Sequence, residues 1–277
     1  MQNNESINLI DGDIILYTTA FSCNQERDWK EVQKKIHNII QEMVENTGTS
    51  LYMGFLQGTG NFRTQVDADG TPYKGNRKAE KPFWFQNIKN YLIDVYKFQV
   101  VNGMETDDAL SILQQRITHV NTIICSADKD LLQVPGKHYN LRTKELSLVT
   151  PVIGLYTLAL QILTGDATDN IKGLHGIGPV KAEKILDGVN PDLYLTTVFN
   201  AYQNWYDKKY PANSPIDRML DASKHFASTF QLVYLLQELD PEVFPTPDVI
   251  DLLTLNNVFN YGPGSNREPE DNKTMFD

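Results

Sequence analysis

The chain has 277 residues, 41% hydrophobic and 22% charged, enough for one large α/β domain or a catalytic domain with a helical extension. No run of about 18 apolar residues argues for a membrane span, and two cysteines without paired spacing exclude a disulfide framework and suit a reducing, cytoplasmic setting. The formal charge of −10 argues against a polyanionic partner, but nine acids fall in short clusters and the remaining 26 acidic and 25 basic residues nearly cancel.

The N-terminal MQNNESINLIDGD has no basic region followed by an apolar stretch, so no secretory signal is expected. Residues 6–10 read as a short buried strand running into Asp11-Gly12-Asp13. Residues 28–46 carry Trp29, Val32, Ile36, Ile39, Ile40 and Met43 at helical spacing, and 51–56 reads as a second strand. From about 58 to 82 the chain is polar, Gly-containing and basic, the pattern of a loop or arch. Beyond it, 83–96 reads as helix, 98–101 as strand, 107–117 as helix and 121–125 as strand. This alternation predicts an α/β fold with a mainly parallel central sheet flanked by helices. After Val149 the pattern turns helical: 151–163, 179–186 and most of 191–238, with a break at Pro211 and Pro215. The expected organisation is therefore an α/β core over 1–150 with an arch at about 58–82, a helical part over 151–260, and a polar tail over 261–277.

The nine clustered acids lie at predicted strand ends or in the loops that follow. They are Asp11 with Asp13; Glu105 with Asp107 and Asp108; Asp128 with Asp130; and Asp166 with Asp169. Beyond the carboxyl ends of parallel strands lies the usual ligand crevice of such sheets. Glu105 and Asp108, and likewise Asp166 and Asp169, are spaced to share a helical face. Crowded carboxylates repel one another and lose hydration, a cost of several kcal/mol that cations relieve. Hard oxygen ligands favour Mg²⁺ or Mn²⁺ over zinc, and two such ions roughly 4 Å apart suit phosphodiester hydrolysis. The plainer reading, helix caps and dipole partners, fits any one cluster better than it fits all four. Asp13, Asp107 and Asp169 are the acids most open to a structural role.

Residues 173–186, GLHGIGPVKAEKIL, form a second signal. Gly176 and Gly178 permit a tight turn, Pro179 suits a first helical position, and amides there can hold a phosphate, with Lys181 and Lys184 adding charge. A plain helix-turn-helix packing unit is the competing reading. The stretch Tyr73-Lys74-Gly75-Asn76-Arg77-Lys78, preceded by Asn61-Phe62-Arg63, interleaves cations and aromatics as single-strand binding requires, although a solvated loop carries similar residues.

Taken in order, IDGD, YKGNR, ETDDAL, SADKDLLQ and TGDATDNIKGLHGIGPVKAEKIL resemble the flap endonuclease and 5′-3′ exonuclease family, which includes bacteriophage 5′ nucleases and the 5′-nuclease domain of bacterial DNA polymerase I. The resemblance spans roughly residues 6–190 and implies a PIN-like core with a helix-hairpin-helix type DNA-binding motif at 173–186. It implies two Mg²⁺ ions, with Mn²⁺ as a substitute, held by Asp11, Glu105, Asp107, Asp108, Asp128, Asp130, Asp166 and Asp169. It further implies Lys74 and Arg77 at the scissile phosphate, with Arg63, Tyr73, Lys78, Gly176, Gly178, Lys181 and Lys184 on DNA and K⁺ on the hairpin carbonyls. The implied partner is DNA with 5′ ends, flaps or nicks, bound by a monomer without a membrane. One departure stands out: the family's acid after the second strand is absent from Phe55-Leu56-Gln57-Gly58-Thr59-Gly60, leaving Gln57 as a weak ligand or Asp13, Asp67 or Asp69 to compensate. Two alternatives follow, a weak or inactive branched-DNA-binding relative and a ribonuclease acting on RNA–DNA hybrids.

Overall fold

The computed structural model describes residues 6–68, 70–77, 80–117, 121–238 and 260–261. Strand β1 (Ser6–Asp11) passes directly into helix α1 (Gly12–Ser22), which the sequence reading did not anticipate. Asp11 caps α1, its Oδ1 accepting from the amides of Asp13 and Ile14. Gly12 lies so close to the segment 51–57 that a Cβ would sit 2.3 Å from the Phe55 carbonyl oxygen. Helix α2 (Trp29–Thr47) begins under the Asp28 side chain, buries Val32, Ile36, Ile40 and Met43, and ends at Gly48 in the left-handed region.

The chain then alternates through β2 (Leu51–Gln57), α3 (Phe85–Asp94), β3 (Gln99–Val101), α4 (Thr106–Arg116) and β4 (Asn121–Ser126). It continues into a short hairpin of β5 (Gly136–Asn140) and β6 (Leu146–Val149). Strand order is β3-β2-β1-β4-β5-β6, parallel from β3 to β5 and antiparallel at β6. The expected mainly parallel sheet flanked by helices is what forms, and the antiparallel hairpin was not foreseen. Register places Ile10 beside Gly54 on one side and Cys125 on the other. Strand order reverses at β1, so Asp11 ends the strand from which the chain winds in both directions. That is the position at which open α/β sheets take their ligands.

The second half begins with α5 (Pro151–Thr164), capped by Thr150, followed by a two-residue ladder of β7 (Gly165–Asp166) and β8 (Ile171–Lys172). Helices α6 (Pro179–Leu186), α7 (Tyr194–Lys209) and α8 (Pro215–Val233) complete it. The predicted break at Pro211 and Pro215 is where α7 gives way to α8, whose first residue is Pro215, capped by Ser214. A final strand, β9 (Asn260–Tyr261), pairs antiparallel with the start of β2.

By its contacts the chain forms two units, one of residues 1–61, 80–149 and 235–277, the other of 62–79 and 150–234. The segment 62–79, expected with the first part, packs in the second because Val66, Ala68 and Tyr73 lie against that unit's core. Residues 235 and 236, expected in the helical part, donate their amides to Gln133 and Asp108 in the first. Within the first unit the core runs from Ile10, Leu16, Ile36 and Ile40 to Phe98, Cys125 and Tyr139. Among the described residues no helix is long and apolar enough to cross a membrane. Lys78, Asp69 and the tail from 262 lie outside the described residues.

Candidate active site

In the first unit, six acidic side chains, Asp11, Asp13, Glu105, Asp107, Asp108 and Asp128, act on one another at the C-terminal edge of the sheet. Asp11 is buried at the end of β1, where its Oδ2 accepts a 2.6 Å hydrogen bond from Ser126 Oγ on neighbouring β4. Burial, followed by repulsion from Asp13 and Asp128, pushes its carboxyl up to about 7 despite the Ser126 and Ile14 hydrogen bonds. Asp107, in the first turn of α4, is held well above the usual carboxylate range, first by burial and then by repulsion from Asp11, Asp128, Glu105 and Asp108. Asp107 is thus the point at which the other carboxylates converge electrostatically.

The triplet Glu105, Asp107 and Asp108 divides its labour at the start of α4. Asp108 is fully buried and turned toward the backbone: its Oδ2 accepts from the Glu105 amide and its Oδ1 from the Leu236 amide. Glu105 accepts from Asn61 Nδ2 at 2.9 Å. Asp128 Oδ1 accepts from the Asp130 amide, starting a single 3₁₀ turn over Asp130–Gln133, and its own amide donates to Ser126 Oγ. Ser126 and Asn61, which orient Asp11 and Glu105, were not singled out from the sequence; Ser126 opens the very motif that carries Asp128.

Asp13 and Gln57 belong to a separate network. The Asp13 carboxylate accepts from the Gln57 amide at 3.0 Å and from Thr106 Oγ1 at 2.8 Å. The Gln57 side chain donates to the Met104 carbonyl and accepts from the Thr106 amide, while its own carbonyl accepts from Lys89 Nζ. Gln57, one of the alternatives offered for the missing acid, ties the end of β2 to the start of α4.

In the second unit, Asp166 ends β7 and Asp169 lies on the turn from β7 to β8, so neither is on a helix. Asp166 Oδ1 accepts from the Thr168 and Asp169 amides. The Asp169 carboxylate accepts from Tyr73 Oη at 3.1 Å, faces Lys74 Nζ at 3.5 Å and pairs with Arg77. Arg63 departs most from expectation. It is 1% exposed, and its guanidinium donates to the carbonyls of Leu232 and Tyr234 at the end of α8, where carbonyls without helical partners and the helix dipole favour a cation. A side chain so enclosed is a structural support and is not presented to DNA.

The hairpin turns at Gly176, whose φ of +78° requires glycine, and Leu174, Ala182 and Leu186 anchor it in the core. Gly178 caps α6 with an extended backbone and no atom within 4 Å of a would-be Cβ, so the fold itself does not demand glycine there. Lys184 is exposed, as is Lys181, whose Nζ donates to the Gly176 carbonyl at 2.8 Å.

Among the described residues, no three His, Cys, Asp or Glu side chains stand close enough to ligate one ion. The acids of the first unit are turned to Ser126, Asn61 and backbone amides. Their donor set is nonetheless all carboxylate oxygen, and the repulsion raising Asp11 and Asp107 is the unbalanced negative charge that a hard divalent cation neutralises. The residues fit such an ion.

No family model matches the chain. Over 200 residues it is 26% identical to a 5′-3′ exonuclease of Mycoplasmopsis pulmonis, covering 66% of each chain. Over 180 residues it is 28% identical to a DNA polymerase I of Caldicellulosiruptor bescii, covering 59% of this chain and 20% of that one. The chain thus spans just under two thirds of the first relative and a fifth of the second. Its fold matches that of the T5 D15 protein crystallised with metal ions at a TM-score of 0.58 and 17% identity, over 83% of this chain and 90% of the other. The resemblance read from the motifs is found again in relatives matched over about two thirds of the chain.

Proposed function

We propose that the protein is a structure-specific 5′ nuclease that hydrolyses DNA phosphodiester bonds with two Mg²⁺ ions. The observation that carries this reading is the pair of mutually repelling carboxyls at the sheet's switch point, the buried Asp11 and the half-buried Asp107. It is supported by relatives named as 5′-3′ exonuclease and DNA polymerase I. Asp11, Glu105, Asp107 and Asp128 are the ligands proposed in the first unit, while Asp108 shapes the start of α4. Asp130, Asp166 and Asp169 are assigned to metal on the motif resemblance alone. When bound, divalent ions activate water and stabilise the leaving oxygen.

The chain's own groups do the rest. Ser126 and Asn61 orient Asp11 and Glu105. Lys74 and Arg77 supply positive charge for the phosphate, and Tyr73 offers a ring beside them. The open space around Gly176 and Gly178, with Lys184 nearby, suits sequence-independent approach of a DNA backbone. The Gly176 carbonyl already accepts an ammonium from Lys181, so no step is assigned to K⁺ there.

A 5′-labelled flap and a nicked duplex, incubated with Mg²⁺, Mn²⁺, Ca²⁺ or EDTA and sized on a gel, test the proposal. Cleavage near the 5′ terminus in Mg²⁺ or Mn²⁺ but not in EDTA is expected; cleavage undiminished by chelator rejects it. The engagement of Gln57 in backbone hydrogen bonds favours one second reading, a branched-DNA binder with little catalysis. That reading predicts flap binding in Ca²⁺ with no products in either active metal.

A further inference from the structure

We infer that Asp169 is a positioning residue for the phosphate-binding cations: its carboxylate holds Lys74, Arg77 and Tyr73 together, and a DNA phosphate takes the two cations by displacing it. The inference rests on the nuclease reading above and deepens it.

Hydrogen bonds to main-chain carbonyls join the two segments involved. The Lys74 amide donates to the Asp169 carbonyl at 2.8 Å, Asn170 Nδ2 to the Pro72 carbonyl at 2.8 Å, and Asn76 Nδ2 to the Ala167 carbonyl at 3.0 Å. Lys74 and Asn170 both have positive φ, at 54° and 60°. For a side chain like lysine that conformation is unfavourable and persists only where surroundings enforce it. The tethers on both sides of Lys74 supply that enforcement.

Within this frame one carboxylate serves two cations. Asp169 Oδ2 accepts from Tyr73 Oη and faces Lys74 Nζ, Oδ1 pairs with Arg77, and Lys74 Nζ also lies 5.0 Å from the Tyr73 ring centre. A phosphodiester likewise carries one negative charge on two oxygens, so Asp169 presents to these cations what a backbone phosphate would. The cluster is reachable from solvent, with the Arg77 side chain 52% exposed and that of Asp169 15%. Once the cations pass to the phosphate, the released Asp169 carboxylate would be available for the metal role that the resemblance implies.

The test is flap binding followed by fluorescence anisotropy in EDTA, where cleavage does not intervene, across a KCl series. Asp169→Asn keeps the shape and the main-chain tether but removes the charge. It is expected to bind roughly three- to tenfold more tightly, with a salt slope steeper by about one for each cation gained by phosphate. Asp169→Glu restores the charge and should return both quantities toward wild type. In the triple variant Asp169→Asn, Lys74→Ala, Arg77→Ala the gain should vanish. Equal or weaker binding by Asp169→Asn, identical behaviour of the Asn and Glu variants, or a gain that survives in the triple variant would each overturn the assignment. If wild type fails to bind the flap at all, the nuclease reading falls and this inference with it. Wild-type binding with an unaltered Asp169→Asn slope removes only the inference.

Discussion

Replacing Asp11 with asparagine should make the metal-free protein more stable near pH 8 and change little near pH 4. The folded carboxyl titrates at about 7 and an unperturbed one at 3.8, a difference worth about 4 kcal/mol. The sign follows from which state binds the proton more tightly. Below roughly pH 4 both states are protonated and there is no penalty. Between about pH 4 and pH 7 the unfolded chain has lost its proton while the folded one still holds it, and stability falls as pH rises. Above about pH 7 the full penalty applies. Asparagine removes it but weakens the bond from Ser126 Oγ, worth about 1–2 kcal/mol, leaving a net gain of about 2–3 kcal/mol. For a chain of this size that corresponds to roughly 5–10 °C in melting temperature. Urea unfolding of both proteins in EDTA, at several pH values and then in excess Mg²⁺, provides the measurement. Magnesium should invert the order, because wild type gains the ion's binding energy and the variant loses a ligand. A variant no more stable than wild type near pH 8, or a difference unchanged between pH 4 and pH 8, would refute the electrostatic account of this cluster.

Neighbouring acids should separate by role: Asp108→Ala should cost roughly 3 kcal/mol in denaturant unfolding, because the amides of Glu105 and Leu236 lose their acceptor. Asp107→Asn should stabilise the metal-free fold at alkaline pH, the direction its raised titration dictates, while abolishing cleavage; a destabilised Asp107→Asn would contradict this. Arg63→Met should lower stability by about 3 kcal/mol without altering the salt slope of flap binding, which equilibrium unfolding and a KCl titration check together. Lys74→Ala and Arg77→Ala should each reduce single-turnover cleavage by about 10²–10³-fold while shifting flap affinity far less.

Much of this molecule follows from local pattern. Helix α2 was legible because Val32, Ile36, Ile40 and Met43 recur at the helical period, and α6 because Gly178-Pro179 marks its start. The alternation of strand and helix implied parallel pairing, and parallel pairing placed the acids at one edge of the sheet. Helix α1 was hidden because apolar residues occupy nearly all its faces as it packs among β2, α2 and α3, leaving no period to read. The β5–β6 hairpin was hidden because β5 is largely polar, β6 has only four residues, and the two pair at the sheet's edge.

Side-chain direction was beyond the sequence. Adjacent acids Asp107 and Asp108 look interchangeable in ETDDAL, yet one meets the other carboxylates and its neighbour is consumed by the amides of Glu105 and Leu236, the latter 128 residues away. Arg63, grouped with the DNA-binding residues by its neighbours in sequence, is claimed by carbonyls that only the end of α8 brings to it. Composition and spacing determine which chemical groups the chain owns and which edge of the sheet they reach. Tertiary packing decides which of them face a ligand, because burial and hydrogen-bond partners are set by residues far along the chain.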